Sequence, residues 1–160
     1  MSELSQERIQ NNLLESLLEK FHGLGFSTLT EIQKKALPFI IQKKDSLIIA
    51  PTGSGKTECS VIPVFSFVSQ TKQTGKIKAL YITPLRALNR DVFKRIIRYA
   101  ESESLKIEIR HGDTSQAARK KIVALPPDVL ITTPETLVIL LTQEKMLNAL
   151  SELEWVIIDE

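Results

Sequence analysis

Ser46-Leu47-Ile48-Ile49-Ala50-Pro51-Thr52-Gly53-Ser54-Gly55-Lys56-Thr57 joins an apolar run to a glycine-rich turn, and Lys56 opens a segment of helical periodicity. Strand, turn and helix start in this order read as a phosphate-binding loop. The turn needs glycines because its backbone N–H groups must point inward at a polyphosphate, which requires positive φ and leaves no room for Cβ atoms. In that reading Thr52, Gly53, Ser54 and Gly55 wrap the phosphates and Lys56 brings positive charge to the β- and γ-phosphates. Thr57 offers a hydroxyl to Mg²⁺, and the helix that follows adds N–H groups and the positive end of its dipole. Ala50 stands where the pattern usually begins with glycine.

Working outward, the chain has 160 residues and 42% hydrophobic content, enough for the core of one domain. A net charge of +2 is too small to make a general polyanion binder, so nucleic-acid affinity must come from local patches. Its apolar runs fall short of the roughly 18 residues that span a bilayer, and the first residues lack a basic stretch followed by an apolar one. The expected location is therefore cytoplasmic, with no membrane partner. The single cysteine, Cys59, excludes a disulfide framework and reads as a small core residue.

Helical spacing marks residues 6–21, through Ile9, Leu13, Leu14, Leu17, Leu18 and Phe21, and again 30–42 and 56–69. Five strands are expected, at 46–49, 79–82, 107–110, 129–131 and 155–158. Helical segments separate them, so strand and helix alternate throughout, which predicts an α/β, doubly wound parallel sheet flanked by helices. Ligands in such sheets sit beyond the carboxyl ends of the strands. Gly112-Asp113 follows the 107–110 strand and is expected to cap the next helix, with His111 a polar loop residue. Arg86, Arg90, Lys94 and Arg98 recur every fourth residue as a basic stripe, and Arg119-Lys120-Lys121 reads as a surface cluster.

The last apolar strand delivers two adjacent carboxylates, Asp159 and Glu160, to that ligand edge. Beside a phosphate loop, Asp159 would hold Mg²⁺ through water, and Glu160 would orient and deprotonate the attacking water.

With these blocks in place, the chain from about Gly25 onward resembles the first RecA-like domain of superfamily 2 helicases, the DEAD/DEAH-box-like group. Gly25-Phe26-Ser27-Thr28-Leu29-Thr30-Glu31-Ile32-Gln33 is similar to the adenine-reading Q motif, with Gln33 in the glutamine's place. Residues 50–58 are similar to motif I, Thr83-Pro84-Leu85-Arg86-Ala87-Leu88 to motif Ia, and Thr132-Thr133-Pro134-Glu135-Thr136-Leu137 to motif Ib. The wording, with His111-Gly112-Asp113-Thr114 and Pro126-Pro127-Asp128, is nearest to the Lhr-type (large helicase-related) proteins.

The resemblance implies a RecA-like P-loop NTPase domain over residues 1–160, truncated after the Walker B strand and so incomplete at its C-terminal end. It implies ATP and Mg²⁺ as cofactors, Lys56, Asp159 and Glu160 as the catalytic set, and Gln33 with residues 52–57 as the nucleotide set. Thr83, Pro84, Arg86, Gly112, Thr133, Pro134 and Glu135 become contacts to single-stranded or duplex nucleic acid, DNA favoured over RNA. A second RecA-like domain is the expected partner that completes ATP hydrolysis. In this family the central strand follows the acidic pair, so a gap with exposed apolar surface is expected in the sheet. The isolated fragment should bind nucleotide weakly and neither unwind nor turn over ATP appreciably. Two alternatives stay open: a DEAD-box-type RNA helicase domain, and a non-catalytic nucleic-acid-binding module.

Overall fold

The computed structural model describes residues 3–71, 74–84 and 90–160, with side chains from residue 11 onward except that of Arg90. The chain divides into two compact units, Met1–Ser66 and Phe67–Glu160.

The first unit carries α1 (Glu3–Gly23), α2 (Glu31–Ile41) and most of α3 (Lys56–Ser69). Helix α1 buries Leu17 and Phe21 four residues apart, and Phe26 meets Phe21 edge-on at 5.7 Å between ring centres. Thr30 caps α2 through a capping box: its hydroxyl accepts from the Gln33 N–H while the Gln33 side chain accepts from the Thr30 N–H. Helix α2 then buries Ala36, Leu37, Ile40 and Ile41.

The strand expected at 46–49 is absent. These residues run as irregular chain, with Leu47 88% and Ile49 80% exposed. Their β-branched and apolar content favours a strand, but a strand forms by pairing, and among the described residues the paired strands all lie in the second unit.

That second unit is a four-stranded, wholly parallel sheet in the order β2-β3-β1-β4, built from β1 (Ala79–Ile82), β2 (Ile107–Arg110), β3 (Val129–Thr132) and β4 (Trp155–Ile158). The intervening helices are α4 (Arg90–Ser102), α5 (Gln116–Ala124), α6 (Pro134–Leu140) and α7 (Glu144–Ala149). Both β1 and β3 are buried throughout, as strands with neighbours on both sides and cover on both faces must be. Alternation sends Leu80, Ile82 and Leu130 to one face, where they join Ile122 of α5, Leu140 of α6, and Met146 and Ala149 of α7 in one core. At the amino end of β1, Lys78 reaches Glu152 at 2.6 Å and Glu154 at 3.8 Å.

Strand β4 pairs with β1 and stands at the sheet's edge, with Val156 51% and Ile158 75% exposed. The gap expected within the sheet is not seen among the described residues: 46–49 do not pair, so β4 is an edge strand with no phosphate-loop strand beyond it. The helix after β2 is capped by Ser115, whose hydroxyl accepts from the Ala118 N–H, and not by Gly112-Asp113. Serine makes the cap because its short side chain sits three residues ahead of that N–H, while 112–113 form a turn upstream.

Cys59 is fully buried in the first turns of α3, and loss of hydration, with Glu58 adding negative charge, pushes its thiol up to about 12. The native thiol should resist alkylation at pH 8 by at least about 100-fold relative to the unfolded chain, since thiolate is the reactive form. Because the folded value exceeds the ordinary 9.0, this group's contribution is intact below pH 9 and falls away between about 9 and 12. Equal labelling rates with and without denaturant would contradict the placement.

Candidate nucleotide loop and sheet-edge site

In the first unit, residues 52–55 form a turn that runs straight into α3 at Lys56. Gly53 and Gly55 sit at φ 76° and 88°, the left-handed region open to glycine, as the phosphate-loop reading requires. The first helical bond joins the Cys59 N–H to the Gly55 carbonyl at 3.0 Å, so the opening turn of α3 presents its N–H groups toward the loop. Lys56 lies across the loop, its ammonium donating to the Ala50 carbonyl at 2.5 Å and the Pro51 carbonyl at 2.8 Å. Ser54 Oγ is buried with no hydrogen-bond partner, which costs free energy unless an acceptor or donor meets it. A phosphate oxygen is such an acceptor, so the loop fits a polyphosphate on its own geometry.

Gln33 is 1% exposed and doubly committed. Its Oε1 accepts from the Thr30 N–H at 2.9 Å and its Nε2 donates to the Gly55 carbonyl at 3.2 Å. Thr30 adds a second tie, its hydroxyl donating to the Ser54 carbonyl at 2.9 Å. The start of α2 therefore braces the glycine loop. Thr30 was not among the expected site residues, although the Thr-x-x-Gln spacing that makes the capping box is visible in the sequence.

In the second unit, parallel register carries several expected residues to one edge of the sheet. Ile82, Arg110, Thr132 and Ile158 are the last residues of their strands and are aligned by pairing. Thr83, the His111-Gly112 loop, Thr133 and Asp159 come next along each strand. The Thr83 N–H donates to Thr132 at 3.1 Å and the Asp159 N–H to Ile82 at 2.9 Å, which extends the ladder past the strand ends. Thr133 caps α6, with Pro134 in the first turn and Glu135 beside it. Glu160 is exposed at φ 66°. Arg86, with 85–89, lies outside the described residues. Of the basic stripe, Lys94 and Arg98 are exposed on α4.

Three further residues organise this edge. Arg119 donates from Nε to the Thr114 carbonyl at 2.8 Å and from Nη2 to the Gly112 carbonyl at 2.6 Å, so this member of the expected surface cluster clamps the loop. Arg110, 5% exposed, donates from Nη2 to Gln143 at 3.0 Å, and its Nη1 is buried without a partner. Burial, then the charge of Arg119, lowers its pKa from the usual arginine value. Tyr81, buried in β1, donates its phenol proton to Asp159 Oδ2. His111 Nδ1 accepts from the Asp113 N–H at 3.2 Å and acts as a loop residue. Among the described residues, no helix is long and apolar enough to cross a membrane, and no group of three or more His, Cys, Asp and Glu is placed to hold a metal.

The sequence profile of the DEAD/DEAH box helicase family matches residues 30–160. ATP-dependent helicase Lhr-Core of Saccharolobus solfataricus is 34% identical over 98% of this chain, and the chain spans 19% of that relative. The probable ATP-dependent RNA helicase DDX52 of Bos taurus is 33% identical over 99% of the chain, which spans 26% of it. Among solved structures, Mycobacterium smegmatis helicase Lhr bound to ssDNA and AMP-PNP aligns with a TM-score of 0.75 and 34% identity, covering 90% of this chain and 20% of that one. The chain thus corresponds to about a fifth of the Lhr relative's length, and the sheet with its flanking helices is of the RecA-like kind.

Proposed function

We propose that this chain, which belongs to the DEAD/DEAH box helicase family, is the N-terminal RecA-like ATP-binding domain, over residues 1–160, of an Lhr-type helicase that tracks along DNA. The observation that carries this reading is the braced loop of positive-φ glycines ending at Lys56 and α3. Residues 52–57 hold the phosphates of ATP. Lys56 exchanges the Ala50 and Pro51 carbonyls for the β- and γ-phosphates, and Gln33 reads adenine with the second N–H and lone pair of its amide.

The Thr57 hydroxyl and Asp159 carboxylate are hard oxygen donors of the kind Mg²⁺ takes, so the residues present fit that ion. When bound it would neutralise charge on the β- and γ-phosphates. Glu160 takes the proton of the attacking water. Hydrolysis also needs positive charge on the transferring phosphate, which we assign to arginines of a second RecA-like domain. Thr83, Pro84, Arg86, Gly112, Thr133, Pro134 and Glu135 contact the nucleic-acid backbone, and the protein works in the cytoplasm, where both substrates are found.

DNA is favoured because the Lhr relative was seen with ssDNA. RNA is the second reading, favoured by the similarity to DDX52. The test is fluorescence anisotropy of matched DNA and RNA single strands with the chain across a salt series. The DNA strand should bind more tightly, with log K falling linearly against log salt. Equal or tighter RNA binding would replace DNA with RNA as the substrate. Binding to neither strand at low salt would remove the nucleic-acid assignments from this chain.

A further inference from the structure

We infer that Tyr81 is a positioning residue for nucleotide-linked metal binding, acting by fixing the orientation of the Asp159 carboxylate; this rests on the metal role proposed for Asp159. Strand β1 is otherwise aliphatic, Ala79-Leu80-Tyr81-Ile82, and fully buried. A phenylalanine at 81 would fill nearly the same volume. The hydroxyl instead places a polar atom in an apolar layer, which costs free energy unless it is hydrogen-bonded. It is bonded, to Asp159 Oδ2.

Register explains how the two meet. Tyr81 pairs with Ile157, and Asp159 lies two residues further along β4, on the same face and at the diagonal position a long side chain reaches. The Asp159 backbone is held separately by its N–H bond to Ile82 at 2.9 Å. With backbone and one carboxylate oxygen both fixed, the acid presents its charge in one orientation. Ligand orientation of this kind typically governs metal affinity by about 10–100-fold.

The test compares Tyr81→Phe with wild type by thermal unfolding at fixed ATP while Mg²⁺ is titrated, with an ATP–EDTA arm. The variant should keep the wild-type shift in ATP–EDTA and need about tenfold more Mg²⁺ for the half-maximal Mg²⁺-dependent rise. A purely structural tyrosine would lower the starting midpoint and leave the Mg²⁺ requirement unchanged, and that result overturns the inference alone. A wild-type chain unmoved by ATP, with or without Mg²⁺, overturns the nucleotide reading and this inference with it.

If Tyr81→Phe does not fold, wild type carrying ¹³Cζ-tyrosine decides. The chain has two tyrosines, so Tyr99→Phe assigns the signals. The Tyr81 resonance should move on Mg²⁺ addition in the presence of ATP, because the carboxylate that accepts its proton also engages the metal. An unmoved resonance overturns the inference.

Discussion

Gly55→Ala should destabilise the first unit by about 3 kcal/mol and remove nucleotide binding with it. An L residue at φ 88° costs about 1–2 kcal/mol by itself. The added Cβ would lie 2.5 Å from Gln33 Nε2 and 3.3 Å from its Cδ, well inside contact distance. That amide is the far end of a side chain but is not free to swing, because it is buried and tied to the Thr30 N–H and the Gly55 carbonyl. Moving it breaks the capping box and the brace on the loop, at about 1 kcal/mol for each lost bond. Gly53→Ala is the internal control: φ is 76° there, but nothing lies within 4 Å of the new Cβ. It should cost only the backbone term. Calorimetry or circular dichroism of both variants reads the difference, and equal losses at 53 and 55 would show that Gln33 does not brace the loop.

Leu130→Ala should cost 2–5 kcal/mol, the range for emptying a buried leucine. Leu130 is fully buried in β3, which has β2 on one side and β1 on the other, and its side chain belongs to the core with Leu80, Ile82, Ile122, Leu140 and Met146. Little can collapse into the space because the backbone on both sides is held by the ladder. Val138→Ala on α6, at 66% exposure, should fall within about 0.5 kcal/mol of wild type. Trp155, the chain's one tryptophan, stacks on Phe67 at 5.5 Å in the same unit and reports denaturant unfolding by fluorescence. A loss under about 1 kcal/mol for Leu130→Ala would contradict the position of β3 in the sheet.

Period and punctuation made much of the fold readable in advance. The bounds of β1, β2 and β4 and of α3 match the apolar runs and the helical repeat, although only β1 among these strands is buried throughout and β4 leaves Val156 and Ile158 exposed at the sheet edge. Residues 46–49 carry the same apolar signal and form no strand, because composition gives the tendency while a partner gives the ladder. The helix cap after β2 lay three residues beyond where Gly112 pointed, since glycine and serine both mark turns and only the hydroxyl's bond tells them apart. The turn of positive-φ glycines running into α3 was legible because its geometry is local. The Tyr81–Asp159 contact was not, since 78 residues separate the pair and only strand register brings them together. Arg119 was hidden for a similar reason: a basic triplet looks like surface until the loop it clamps is in place.

The central claim, that residues 52–57 bind the phosphates of ATP, is tested most directly by the thermal midpoint of the chain with and without Mg-ATP, beside Lys56→Ala. A ligand that binds only the folded state raises the midpoint, by an amount that grows with its concentration over its dissociation constant. The account predicts a cooperative transition in both proteins, raised by millimolar Mg-ATP in wild type and unmoved in Lys56→Ala. A wild-type midpoint indifferent to Mg-ATP, or an equal rise in the variant, would contradict it.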